Sequence, residues 1–576
     1  MILQPINDIA GLCALHGVRE AVLSPGSRSA PLTLAFARHP QINTRTISDE
    51  RSAAFIALGM AQALQQPVVL VCTSGTAAYN YAPAVAEAYY QQIPLLVLTA
   101  DRPPEWIGQL DGQTIQQQNI YGGHAKKSYQ LPAEYSHPDA EWHVHRAMNE
   151  AINLCREYPA GPVHLNIPLR EPFYPAGGEV WKYSQNLRVV ENWPTSPTLS
   201  GSQWETISGE WETYGKKLIV GGQHPGDELL IRHLQQTSRQ QKIPVIADVI
   251  SNLHGIENAI KLQDSFLGRP DTKEMEALQP DLLITFGQSV ISKNLKLFLR
   301  KYKPKAHWHL QISGAVADPY QSLTRIIPAD AAWFFRELNN RSIKADEAMP
   351  EQKKYFRLWQ AHQKAAGHTA GEFFGQPPAW GEFAAIRECM QQLKGPVNLH
   401  LANSTAVRYA NYISLQPFQD KVKVFANRGT SGIDGSTSTA VGCALISPDL
   451  SLLITGDMAF FYDRNALWNN YLPENLRIMV LNNHAGGIFR LIKGPGDQPE
   501  LEEYFETRQP LKAEATAREF GLEYFHCTNE EELRTALKSF LSPEGGPKLL
   551  EAETDSKTNA AILKDYKSRI HGYTME

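Results

Sequence analysis

Residues 452–489 read LLITGDMAFFYDRNALWNNYLPENLRIMVLNNHAGGIF. Leu452–Thr455 is a short β-rich run ending on Gly456-Asp457, and Ile478–Leu481 is a second, ending on Asn482-Asn483. A helical stretch joins them, and Asp457 and Asn483 stand roughly 26 residues apart, about one βαβ crossover. In a parallel sheet both strand ends share the carboxyl edge, where open α/β sheets bind ligands. An Asp and an Asn side by side there offer hard oxygen ligands, which suits Mg2+ holding a diphosphate. The same residues also suit two ordinary strand-end turns, since Asp, Asn and Gly are common in turns.

Working outward, similar runs recur along the chain. They are Val68–Cys72, Leu95–Thr99, Val163–Ile167, Leu218–Val220, Pro244–Ala247, Leu282–Phe286, Trp308–Ile312, Val397–Leu401 and Leu549–Ala552. Apolar runs this short, without polar alternation, fit strands covered on both faces by helices. The expected fold is therefore α/β, built of parallel sheets flanked by helices. Two stretches break the pattern: 175–202, rich in Pro, Gly, Ser and Thr, and about 344–380, charged and weakly periodic with a helix expected inside it. They divide the chain into three expected domains, 1–180, 203–343 and 375–576.

The length of 576 residues allows large apolar cores without a disulfide or metal staple. Lys and Arg total 55 against 60 Asp and Glu, a net charge of −5. That balance argues against a general nucleic-acid or polybasic membrane binder, but not against local arginines around a small anion. The N-terminus has no basic leader, and Asp8, Arg19 and Glu20 interrupt its apolar residues. No apolar run reaches membrane-spanning length. The six cysteines are scattered with no CxxC pair, which reads as reduced core cysteines of a cytoplasmic protein.

Further motifs sit at expected strand-to-helix junctions. Ser24-Pro25-Gly26-Ser27-Arg28, Thr73-Ser74-Gly75-Thr76 and Thr99-Ala100-Asp101-Arg102 each place small or hydroxyl residues where free N–H groups attract anions. For any one of them alone, ordinary N-capping is the better explanation. Arg28 and Arg102 tip the balance toward an anion site, and Gln113 follows close behind in sequence. Ser48 reads as the N-cap of a small-residue helix, with Glu50 in its first turn favoured by the helix dipole. Asn427–Gly435 (NRGTSGIDG) is a glycine-rich loop that lets backbone approach a ligand.

Together the Gly-Asp…Asn-Asn spacing and these loops resemble the thiamine-diphosphate-dependent enzymes. Met458 departs from the glycine that many members carry after the aspartate. The resemblance implies a pyrimidine-binding, a central and a diphosphate-binding domain in that order, with thiamine diphosphate and Mg2+ (or Mn2+) as cofactors. It implies Asp457, Asn483 and the Ala485 carbonyl as metal ligands, and Ser431, Gly432, Ile433, Ile488 and Phe489 as cofactor contacts, with Ile433 propping a bent cofactor. Glu50 is implied as the glutamate that hydrogen-bonds N1′ of the aminopyrimidine.

SPGSRSAPL, TSGTA, TADRPPE and ANRGTSGIDG resemble one carboligating branch, which decarboxylates 2-oxoglutarate and adds the resulting carbanion 1,4 to isochorismate in menaquinone biosynthesis. The implied substrate contacts are Ser27, Arg28, Arg102, Gln113, Lys293, Ser404, Arg408 and Arg428. Arginine forks match carboxylates bidentately, and both substrates carry two. Asn294 stands where the branch often has a second cation after Lys293. An acetolactate-synthase-like carboligase of the same fold is the alternative. The family also implies a homo-oligomer, at least a dimer, with Glu50 and Asp457 meeting across its interface. Residues 491–509 read as a long polar loop, expected to order on cofactor binding.

Overall fold

The computed structural model describes residues 3–177, 179–270, 273–341, 349–376 and 380–573. Parts of the expected second linker (344–348 and 377–379) and the ends of the expected domains at 1–2, 342–343 and 574–576 lie outside the described residues.

Three parallel sheets follow one another along the chain. The first comprises β1 (Glu20–Leu23), β2 (Asn43–Thr46), β3 (Val68–Cys72), β4 (Leu95–Asp101), β5 (Ser128–Gln130) and β6 (Val163–Pro168). The second comprises β7 (Lys217–Gly221), β8 (Val245–Ala247), β9 (Leu282–Phe286), β10 (Ala306–Leu310) and β11 (Arg325–Ile327). The third comprises β12 (Val397–Leu401), β13 (Val422–Phe425), β14 (Leu450–Gly456), β15 (Leu476–Asn482), β16 (Glu523–Cys527) and β17 (Lys548–Glu553). Every pairing among them is parallel.

The spatial orders are β2-β1-β3-β4-β6-β5, β11-β10-β9-β7-β8 and β13-β12-β14-β15-β17-β16. The outer sheets thus share one strand order. Each reverses direction of growth between its first and third strands, which opens a crevice at the carboxyl edge. Central strands such as β3 and β15 are buried throughout. That burial is why their sequences run apolar without alternation.

Equivalent helices of the two outer sheets pack on each other. The helix Glu50–Leu64 follows β2, and Ser436–Ala444 follows β13. Their contact is backbone to backbone: a Cβ on Gly59 would sit 2.0 Å from the Thr439 carbonyl oxygen, and one on Gly442 2.0 Å from that of Ile56. Ile56, Ala57, Val441, Leu453 and Val480 belong to one apolar core shared by both sheets. Overpacking so tight a crossing costs about 1–3 kcal/mol or more. Gly59→Ala is accordingly expected to lower the thermal unfolding midpoint, and an unchanged midpoint would contradict the close crossing.

Several expectations need correction. The N-cap of the Glu50 helix is Asp49, not Ser48: Asp49 Oδ1 accepts from Ser52 N at 3.1 Å. Its Oδ2 accepts from Asn465 Nδ2 at 2.7 Å, which ties this helix start to the third sheet's layer. The run expected at Trp308–Ile312 is the strand Ala306–Leu310. His307 and His309 obscure its start, yet Thr285 Oγ1 bonds both rings at 2.8 Å and so allows them inside the sheet. The stretch 175–202 has no helix or strand before Gly201 among its described residues. It is nonetheless strapped to the first domain rather than loose. Ser184 N and Oγ donate to Asp8 at 3.1 and 2.9 Å, Val190 N donates to Asn149 Oδ1 at 2.6 Å, and Trp181 and Tyr183 pack on the apolar core. A helix, Pro350–Gly375, does occupy the second break.

Candidate active site

The crevice of the third sheet collects the residues expected on the diphosphate side. β12 delivers Asn403 and Ser404, β14 delivers Asp457, and β15 delivers Asn483 to one carboxyl edge. A cavity of about 480 Å3 opens there, lined among others by Ser404, Arg408, Arg428, Ser431, Ile433, Asp457, Met458, Asn483, Ala485, Ile488 and Phe489. Gly432 lies just behind, its carbonyl accepting from Asn403 Nδ2 at 2.6 Å. Ser404 and Ser431 adopt left-handed backbone (φ 79° and 64°). Non-glycine residues hold that conformation only where the surroundings enforce it, as at ligand clamps. A cavity of about 550 Å3 between the central and third domains contains none of these side chains.

Asp457 opens the helix Asp457–Tyr462, where the dipole favours an anion. It is buried, which pushes its carboxyl up to about 6, partly offset by a 2.7 Å hydrogen bond from Gln509 Nε2. Asn483 Nδ2 donates to the buried Glu382 carboxyl, which burial pushes up to about 7. Asn483 Oδ1 is buried and has no partner. A buried carboxylate beside an unpartnered amide oxygen is the donor set a hard divalent cation takes. The Ala485 carbonyl accepts from Gly487 N at 2.9 Å and retains a second lone pair for a metal. The residues present therefore fit a divalent ion.

Arg408 and Arg428 form the cationic wall. Arg408 Nη1 donates to the Ser404 carbonyl, and Arg428 Nη1 donates to Asn403 Oδ1 at 2.7 Å, leaving its Nε buried and unpartnered. Neither has an ion pair among the described residues. Burial disfavours both charges, and Arg408 adds repulsion on Arg428. An incoming carboxylate relieves that strain.

Lys293 opens the helix Lys293–Lys301 and is exposed. Its charge and that of Arg408 both bear on Lys567, which puts these cations in one neighbourhood. Asn294 carries no charge there, and its Nδ2 donates to the Asp264 carbonyl at 2.7 Å. One turn further on, half-buried Lys296 feels Arg428 and Arg408, so the same helix supplies a second cation. Sequence reading missed Lys296, although its i+3 spacing from Lys293 was visible.

The remaining predicted residues do not line this cavity. Glu50, Ser27, Arg28, Arg102 and Gln113 belong to the first domain, the last four at the carboxyl edge of its sheet. Loops meet closely there: a Cβ on Gly26 would lie 2.3 Å from Thr73 Cβ, and one on Gly75 3.3 Å from Gln113 Cα. Arg28 is buried, donating to the Leu169 carbonyl at 2.8 Å over the Phe173 ring. Arg102 donates to the Gly112 carbonyl and pairs with Asp111 at 3.1 Å. Ser27 and Gln113 are exposed, and half-buried Glu50 lies near enough to bear on Cys72 and Tyr81. His484, beside the metal motif, pairs with Glu553 at 3.0 Å.

Residues 491–509 are not a bare loop. Turns at Pro495–Asp497 and Leu501–Phe505 build the segment, and Arg490 pairs with buried Glu506 at 2.6 Å to fasten it.

Glu87, in a helix of the first domain, was also missed. Its buried carboxylate accepts from Gly429 N at 2.8 Å, Thr430 N at 2.6 Å and Thr430 Oγ1 at 2.5 Å, clamping the loop that carries Arg428 and Ser431. Bonds to a charged group are worth about 1.5–3 kcal/mol each. Glu87→Ala is expected to raise the KM for the carboxylate substrates that the family resemblance implies at least severalfold, measured by steady-state kinetics. An unchanged KM would mean the loop holds its shape alone.

Residues 7–122 match the thiamine pyrophosphate enzyme N-terminal TPP binding domain. Residues 192–393 match the middle domain of thiamine pyrophosphate enzymes, and 406–552 the C-terminal TPP binding domain. A 2-succinyl-5-enolpyruvyl-6-hydroxy-3-cyclohexene-1-carboxylate synthase from Cytophaga hutchinsonii is 48% identical over 99% of both chains. Synthases of the same name from Porphyromonas gingivalis and Desulfotalea psychrophila are each 38% identical, over 98% and 96% of this chain and 97% and 98% of theirs. With three matched domains in order and full-length identity of this size, the chain belongs to the thiamine-diphosphate-dependent enzymes and, among them, to the 2-succinyl-5-enolpyruvyl-6-hydroxy-3-cyclohexene-1-carboxylate synthase family.

Proposed function

We propose that the chain decarboxylates 2-oxoglutarate and adds the resulting four-carbon unit 1,4 to isochorismate, with thiamine diphosphate and Mg2+ or Mn2+, as a transferase of menaquinone biosynthesis. The observation that carries this reading is a cavity that holds the oxygen donors together with Arg408 and Arg428, neither of which has an ion pair among the described residues. Bound thiamine diphosphate supplies the carbon nucleophile and the electron sink for loss of CO2. Asp457, Asn483 and the Ala485 carbonyl hold the divalent ion, and Ser431, Gly432, Ile433, Ile488 and Phe489 shape the cofactor's seat. Glu50 holds the proton at N1′ of the aminopyrimidine through a charge-assisted bond. Lys293, Arg408 and Arg428, with Arg28 and Arg102, bind substrate carboxylates; Ser27, Ser404 and Gln113 add neutral hydrogen bonds.

Among the described residues, the cavity at the third sheet's carboxyl edge holds none of the predicted residues of the first sheet's edge, which supports a homo-oligomer, at least a dimer, in which the first domain of one copy faces the third of another. The domain division 1–180, 203–343 and 375–576 is proposed on the same footing, with each sheet falling inside one span. Among the described residues no helix is long and apolar enough to cross a membrane. A cytoplasmic enzyme is the reading we adopt.

Release of CO2 from 2-oxoglutarate and from pyruvate separates this reading from an acetolactate-synthase-like one. The cationic wall predicts turnover of 2-oxoglutarate at least tenfold faster than of pyruvate. Preference for pyruvate would overturn the assignment.

A further inference from the structure

Asn483 can serve a metal only if its amide presents oxygen rather than nitrogen to the ion. An amide flip exchanges an acceptor for a donor at almost no steric cost, so something must fix the choice. The only side chain bonded to Asn483 among the described residues is Glu382. Glu382 opens the helix Glu382–Gln391, about one hundred residues away in sequence, and is itself only 1% exposed. Its position is rigid: its N–H donates to Asn559 Oδ1 at 3.0 Å, and a Cβ on the preceding Gly381 would lie 2.6 Å from that oxygen.

We infer that Glu382 is a positioning residue, whose carboxylate holds the Asn483 amide with its oxygen toward the metal site. A carboxylate only accepts, so it bonds Nδ2 and rejects Oδ1. Oδ1 is thereby turned away from Glu382, and it is the buried oxygen without a partner. A group that merely satisfied a buried amide would serve equally well with either end bonded. Orienting partners of this kind fix the ligand atom in many metal sites, and losing one typically costs about 10–100-fold in metal affinity.

This inference rests on the proposal that Asp457 and Asn483 hold a divalent ion. Its test is Mn2+ binding, read from the free-ion EPR signal while the full chain is titrated with thiamine diphosphate present at about pH 8. Glu382→Ala is expected to weaken Mn2+ about 10–100-fold. Glu382→Ala with Asn483→Asp should regain affinity to within a few-fold of the parent, because an aspartate offers oxygen in either orientation. Unchanged affinity in Glu382→Ala, or a loss that Asn483→Asp does not restore, overturns the positioning role. Should Glu382→Ala fail to fold, Glu382→Gln carries the test, since its amide accepts either end of Asn483. It is expected to bind Mn2+ at least threefold more weakly, and parental affinity overturns the role. If the parent chain itself binds no Mn2+, the metal assignment fails and this inference with it. If the parent binds and Glu382→Ala equals it, only this inference fails.

Discussion

Glu50→Gln is expected to lower kcat by about 10^2–10^4-fold, the usual worth of a positioned proton-transfer group. The same change should leave the thermal unfolding midpoint almost where it was. Glu50 sits half-buried in the first turn of its helix. It makes no side-chain hydrogen bond or ion pair among the described residues, and Asp49 already caps the helix. Its structural contribution is therefore the dipole interaction alone, about 0.3–1 kcal/mol. Glutamine keeps the size and the hydrogen-bonding reach but cannot hold the proton at N1′. Steady-state turnover of 2-oxoglutarate with isochorismate, beside a melting curve, measures both halves. A kcat within threefold of the parent would remove Glu50 from the mechanism.

The second large effect belongs to Asp457. Burial holds its carboxyl well above the usual aspartate range, so ionising Asp457 without a cation beside it is costly. Asp457→Ala should leave the cofactor-free chain as stable as the parent, or more so. It should also abolish the stabilisation that thiamine diphosphate and Mg2+ confer, about 2.7 kcal/mol at a hundredfold excess over Kd. Activity should fall to background. Differential melting with and without both ligands separates the two contributions. A ligand-induced shift that survives Asp457→Ala would place the metal elsewhere.

What the sequence revealed follows from where backbone and burial dictate composition. Central strands such as β3, β4, β9 and β15 announce themselves, because burial on both faces demands unbroken apolar runs. The strands not foreseen are mostly edges. β2 (NTRT) and β16 (EYFHC) are half-exposed and carry polar or charged residues, so no apolar run marks them. β1 is internal but only four residues long and begins on a charge. That the third sheet's edge gathers these residues into one cavity was legible for a different reason. Strand ends and glycine-rich turns impose residue types at fixed spacing, so Asp457, Asn483 and the 427–435 loop could be read together. Glu87 and Glu382 left no such trace. Each looks like an ordinary helical acid, and each acts on a segment one hundred residues or more away. Only the folded chain brings Glu87 onto the loop of another domain and Glu382 onto the Asn483 amide. Asn294 stands where the branch often has a second cation, and its side chain is spent instead on the Asp264 carbonyl.

Mass spectrometry of the product is the most direct test of the proposed synthase. The full chain is incubated with thiamine diphosphate, Mg2+, 2-oxoglutarate and isochorismate, each substrate also being omitted in turn. The account predicts one adduct, with the mass of both substrates less CO2, formed only when both are present. Isochorismate recovered unchanged, with 2-oxoglutarate either intact or converted only to the free aldehyde, would contradict it.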